Sequence, residues 1–164
     1  MGNYFRQQSG YTGHLLEDDV LGKCPITVVQ YKRFREAVEE ARANQPAGWD
    51  PTDPHKMPAN NLHAEVCKAL GLEDWSELSL FCSVGTPLDC FHGVDAFFQF
   101  GGRIATLDLT TNHREAKEGH KAHFVIEVVD LEDGPRRERL AREIAEKLTE
   151  ERTVVSARFG TMVA

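Results

Sequence analysis

Two aspartates in one hairpin are the strongest chemical feature of this sequence. The segments Val94 to Phe100 and Arg103 to Thr111 are rich in aromatic and β-branched residues, and Gly101-Gly102 between them is a two-residue turn signal. A two-residue loop there pairs Val94 with Leu109, Ala96 with Leu107 and Phe98 with Ala105 on one apolar side. The other side pairs Gln99 with Ile104, Phe97 with Thr106 and Asp95 with Asp108. Opposed Cβ atoms lie about 4.5–5.5 Å apart, and like charges in that position are destabilising. A divalent cation offsets the repulsion, because hard ions such as Mg²⁺ take one or two carboxylates together with waters and phosphates. A protonated aspartate or a neighbouring arginine does so too. The structural alternatives are a turn cap by Asp108 at Thr110-Thr111-Asn112, an ion pair of Asp95 with a helix cation, and a bulge that breaks the register.

A third carboxylate, Glu65, flanks the apolar stripe Leu62, Val66, Ala69 and Leu70 of a helix expected from about Asn61 to the stop at Gly71. It points toward whatever that helix covers, or else pairs with Lys68. The seven histidines raise zinc as a competitor. His113, His120 and His123 have helix-compatible spacing, and Cys82, Cys90 and His92 lie near the hairpin entrance, but none matches a structural zinc spacing. His92 stands three residues before Asp95 and is placed to touch a bound phosphate. A Cys90/His92 nucleophilic pair lacks an orienting acid.

The elements that must position these residues follow from periodicity. Residues 1–24 are polar and Gly-spaced and read as a loop-like arm; residues 25–164 read as one domain. Thr27 with Gln30 suggests a capping box ahead of a helix bearing Val28, Tyr31, Phe34, Val38 and Ala41, stopped at Asn44-Gln45-Pro46. Leu78 to Cys82 reads as a strand, Thr86-Pro87-Leu88-Asp89 as a turn, and residues 112–121 as room for a short helix. Phe124 to Val129 reads as a strand buried on both faces. A helix with Leu140, Ile144 and Leu148 inward starts at Asp133-Gly134-Pro135, and Thr153 to Phe159 reads as a last strand. The expected fold is α/β: a mixed sheet, a meander plus a further strand, flanked by helices.

With that order on the page, a core over about residues 60–130 resembles the PD-(D/E)XK, or restriction-endonuclease-like, nuclease superfamily. It has a helix bearing Glu65, a three-strand meander with Asp95 in Gly93-Val94-Asp95, an acidic residue thirteen positions later at Asp108, and then a helix and a strand. The spacing is similar to that of compact Holliday-junction resolvases. The resemblance implies that Glu65, Asp95 and Asp108 hold Mg²⁺ or Mn²⁺ and that the activity is metal-assisted hydrolysis of phosphodiester bonds in DNA. It also implies a possible homodimer. One departure stands out: the superfamily's motif lysine is replaced by Thr110, a hydroxyl on the Asp108 face that orders water but carries no charge. Lys68, Lys117 and Lys121 are the candidates for a displaced lysine. The alternative implied by that loss is a catalytically inactive relative serving as a nucleic-acid-binding or protein-interaction subunit.

Composition bounds these readings. Lys+Arg number 19 against 26 Asp+Glu, a net charge of −7, which argues against holding nucleic acid by bulk charge but leaves a local site open. Nine Phe, three Tyr and two Trp supply enough core material to exclude a mainly disordered chain. The basic patches Lys32, Arg33, Arg35 and Arg136, Arg137, Arg139, Arg142 read first as solvated helix faces, and neither reads as a stacking platform for single strands. Met1 to Arg6 lacks a signal-peptide core, and no apolar run approaches the roughly 18–20 residues of a membrane span. Cys24, Cys67, Cys82 and Cys90 contain no CxxC pair and read as reduced thiols, so the expected location is cytoplasmic, with no membrane partner.

Overall fold

In a computed structural model, residues 13–111 and 121–150 are described. Four strands lie side by side in chain order: β1 (Leu78–Cys82), β2 (Ala96–Phe100), β3 (Arg103–Thr110) and β4 (Phe124–Glu127). The first three form an antiparallel meander, and β4 joins β3 in parallel. The β2–β3 register is the expected one, with Ala96 opposite Leu107, Phe97 opposite Thr106 and Phe98 opposite Ala105. The Gly101-Gly102 turn sets that register, and Gly101 has the positive φ (59°) a tight hairpin turn demands.

Among the described residues, six α-helices flank the sheet: α1 (Gly13–Val20), α2 (Phe34–Ala43), α3 (Met57–Leu70), α4 (Pro87–His92), α5 (Val128–Glu132) and α6 (Gly134–Thr149). One sheet face, with Leu80, Phe98, Leu107 and Ile126, buries the apolar stripes of α1, α3 and α6, including Leu16, Val66 and Ile144. The opposite face packs Phe97 against Ala37, Val38 and Ala41 of α2 and Leu88 of α4. The class is therefore α/β, a four-stranded mixed sheet between helices. Among the described residues, no helix is long and apolar enough to cross a membrane.

Several boundaries differ from expectation. Part of the supposed loop-like arm, residues 13–20, is helix α1. Its two buried residues, Leu16 and Val20, lie one turn apart, too short a stripe to show as a period, and the helix is held by packing on the core. No capping box at Thr27 starts α2; the helix begins at Phe34 with Arg33 as N-cap, and Lys32 is held in the extended lead-in by a hydrogen bond from His92. Helix α3 starts at Met57 rather than near Asn61, with Pro58 in its first turn, where a missing N–H costs nothing. The expected turn at Thr86–Asp89 is the start of α4, with Pro87 in the same favourable position. Strand β4 stops at Glu127 because Glu127 and Asp130 form a reciprocal capping box that opens α5, and within β4 only Ile126 is fully buried. Helix α6 begins as expected, capped by Asp133, whose carboxylate accepts from Arg136 N–H at 3.0 Å. The helix expected over 112–121 and the strand expected over 153–159 lie essentially outside the described residues.

Candidate metal centre

The regular β2–β3 ladder ends at Ala96, and the next residue back changes its course. Asp95 N–H donates to the Leu107 carbonyl at 2.8 Å, although Leu107 already stands opposite Ala96, so the ladder slips by one residue here. The Asp95 side chain then takes a place in the ladder itself: its Oδ2 accepts from Leu109 N–H at 2.8 Å. Ser83 braces the segment, its N–H on the Asp95 carbonyl and its hydroxyl on the Val94 carbonyl at 2.6 Å. Asp95 is thus a buried carboxyl, 3 % exposed, in a fixed pose.

Two other elements deliver carboxylates to it. Helix α1 presents Glu17 between the buried anchors Leu16 and Val20. Helix α4 presents Asp89 from its first turn, with Oδ2 accepting from Gly85 N–H at 2.8 Å. Gly85 has φ of +82°, a conformation that favours glycine, and a Cβ there would also press on the Lys23 chain, 3.0 Å from its Cε. Gly93, at φ 67°, caps α4 and returns the chain toward Asp95. Oxygen atoms of Glu17, Asp89 and Asp95 all lie within 4.8 Å of one another.

The electrostatics follow from that crowding. Burial is the first cause that raises Asp95, and the charges of Asp89 and Glu17 raise it further, against the lowering effect of the Leu109 N–H; the carboxyl is pushed up to about 11. Glu17 is raised by burial, and a hydrogen bond shared with Asp95 opposes this, as expected for two carboxyls with one proton between them. Asp89 is raised by burial and also by the charge of Asp108. Without a cation, the cluster therefore holds a proton at neutral pH.

The sequence candidates are distributed as follows. Asp95 lies at the centre of the cluster. Asp108 is half-buried and acts on Asp89 through its charge, but it is not one of the three residues whose oxygens converge. Glu65 is on α3, paired with Lys68 at 3.7 Å, and is not part of the converging set. Thr110 is buried in β3 opposite Glu127. Lys121 is exposed ahead of β4, and Lys117 lies outside the described residues, as do His113 and His120. His123 is occupied with Thr106: its Nδ1 accepts the Thr106 N–H at 3.1 Å and its own N–H donates to the Thr106 hydroxyl at 2.8 Å. His92 Nε2 donates to the Lys32 carbonyl at 2.7 Å. Sequence reasoning missed Glu17 and Asp89. The available signal was Thr86-Pro87, an N-cap followed by a first-turn proline, which puts Asp89 in a helix; Leu16 and Val20 around Glu17 are too short a stripe to show one.

Comparison of the chain with protein-family models, with curated proteins and with solved structures finds no match. The class of site is thus defined by its own geometry, three carboxylates from separate segments converging where the chain enters the inner strand β2 of a mixed sheet.

Proposed function

We propose that this protein is a metal-dependent nuclease with a restriction-endonuclease-like fold, hydrolysing phosphodiester bonds in DNA with Mg²⁺ or Mn²⁺. The observation that carries the reading is the convergence of Glu17, Asp89 and Asp95 within 4.8 Å around a buried carboxyl that burial and its neighbours push up to about 11. Such a set suits a hard divalent cation, which prefers carboxylate oxygens and keeps positions for water and phosphate. When bound, the cation lowers the pKa of water to supply a nucleophile and offsets charge on the phosphate. Glu17 takes the role that the resemblance gave to the helix glutamate, because it reaches Asp95 where Glu65 pairs with Lys68. Asp95 is aimed by the Leu109 N–H and Asp89 by the Gly85 N–H, so neither carboxylate has to reorganise to take a ligand. Asp108 adds a fourth negative charge beside Asp89. Lys23, whose chain crosses Gly85, brings a cation to the loop holding Asp89 and joins Lys117 and Lys121 as a candidate for the missing lysine.

The second reading, an inactive relative that binds nucleic acid or another protein, is favoured by Thr110 in the lysine's place and by the engagement of Lys68 with Glu65. The separating experiment incubates the protein with single-stranded, duplex and branched DNA, and with RNA, in Mn²⁺ or Mg²⁺, beside Asp95→Ala. Cleavage that falls at least about a hundredfold in the variant supports the nuclease. Equal activity in the two proteins, or none in either, refutes it.

A further inference from the structure

The lead-in to α2 and the end of α4 bring four rings together at the surface. Tyr31 meets Phe91 edge-to-face with ring centroids 5.5 Å apart and lies 5.9 Å from His92. Phe34 meets His92 edge-to-face at 5.7 Å. The arrangement is braced: His92 Nε2 donates to the Lys32 carbonyl, and beneath the rings α2 packs on α4 through Ala37, Val38 and Leu88. Yet Tyr31 is 65 % exposed, Phe34 43 % and Phe91 41 %. Aromatic area gathered in one place and left in water marks a binding surface.

The charges around the rings say what kind. Arg33 and Arg35 alternate with Tyr31 and Phe34 along the chain and are exposed. Neither is held in an ion pair among the described residues, whereas Lys32 is held by Glu40 and Arg42 by Glu39. Free guanidinium groups among accessible rings suit a partner that alternates planar apolar groups with negative charges, which is an unpaired nucleotide strand. An acidic peptide would meet the arginines and leave the rings idle; a duplex keeps its bases stacked on each other. Phe91 and His92 also share α4 with Asp89, His92 standing one turn, about 4.5 Å of axial rise, after it.

We propose that this surface binds single-stranded nucleic acid, bases stacking on Tyr31, Phe34 and Phe91 and phosphates meeting Arg33 and Arg35. It deepens the nuclease reading, on which delivery of that strand to the carboxylates rests, by naming an unpaired segment as the substrate. The linear patch did not read as a stacking platform because two of its rings, Phe91 and His92, come from a different helix.

The test is fluorescence anisotropy of a labelled oligothymidylate, about twice a typical 4–16-nucleotide site in length, with the full chain in EDTA to prevent cleavage. Tyr31→Ala and Phe91→Ala each weaken binding about tenfold or more, while Tyr31→Phe, which keeps the ring, does not. Arg33→Gln lowers the slope of log affinity against log salt by about 0.7. Duplex of the same length binds more weakly, and an oligouridylate arm decides between DNA and RNA as the source of the strand. Failure to bind, binding of oligothymidylate no tighter than duplex, or affinity unchanged in both alanine variants overturns the proposal. So does a homodimer that Tyr31→Ala dissolves in a protein without oligonucleotide affinity. Ring-dependent binding by a protein that cleaves nothing refutes the nuclease alone and leaves this inference standing.

Discussion

Replacing Asp95 by Asn makes the metal-free protein more stable at mildly alkaline pH, an unusual outcome for removing a buried, hydrogen-bonded side chain. Asp95 has a folded-state value of about 11 against an ordinary 3.8. The native state therefore keeps a proton that the unfolded chain releases once pH passes about 4. A group raised in this way contributes stability that is fully present below its unfolded pKa and drains away as pH climbs toward the folded one, here across the whole neutral range. One proton corresponds to about 1.4 kcal/mol per pH unit, so between about pH 5 and pH 8 the wild type loses up to roughly 4 kcal/mol from this residue. Asn keeps an oxygen for the Leu109 N–H and has no proton to lose, so its stability curve is flatter and lies above wild type at about pH 8. For a chain of this size each kcal/mol moves the midpoint by roughly 2–4 °C, so the difference is readable as a shift of about 10 °C. The assay is thermal or urea unfolding in EDTA at several pH values. Mn²⁺ then closes most of that gap: it displaces the proton, stabilises wild type by about 3 kcal/mol at a hundred times its Kd, and does nothing for Asp95→Asn. A variant less stable than wild type at about pH 8, with the same pH slope, refutes the shared-proton cluster.

Glu17→Gln removes the Mn²⁺-dependent rise in melting temperature and lowers any cleavage rate about a hundredfold or more, whereas Glu65→Gln changes both by less than about threefold, because only Glu17 reaches Asp95. Equal effects at the two glutamates would return Glu65 to the site. Gly85→Ala costs about 1–3 kcal/mol in urea unfolding, since the position combines φ of +82° with a Cβ 3.0 Å from Lys23 Cε, and it also weakens the Mn²⁺ shift by disturbing the N–H that holds Asp89. In a thiol-reagent assay, native protein releases one fast equivalent from exposed Cys90. Cys24, Cys67 and Cys82 are buried, with Cys67 pushed up to about 11 by burial and Cys82 raised chiefly by its contact with Cys24, so they react only as the chain unfolds. More than one fast equivalent would contradict that burial.

Some of this was legible one residue at a time. The β2–β3 register was fixed in advance because a two-residue glycine turn leaves no freedom in loop length, and side-chain parity then decides every pair from Ala96–Leu107 to Phe100–Arg103. Helix α6 announced itself through an Asp133 cap, an early proline and a stripe of Leu140, Ile144 and Leu148. Asp95 itself could be singled out because a charged residue at the mouth of so apolar a ribbon needs a partner. Its partners were another matter. The one-residue slip at Asp95 moves its carboxylate out of line with Asp108 and onto the Leu109 N–H, and parity cannot foresee a slip. Glu17 and Asp89 belong to an eight-residue and a six-residue helix, too short for a periodic signal and stable only once Leu16, Val20 and Leu88 find the sheet. The sequence alone determined the α/β ribbon and the residue at its mouth, since both rest on local turn geometry and alternation. Which carboxylates gather there, and which rings stand beside them, was decided by tertiary packing, because that packing brings together segments that share no local pattern.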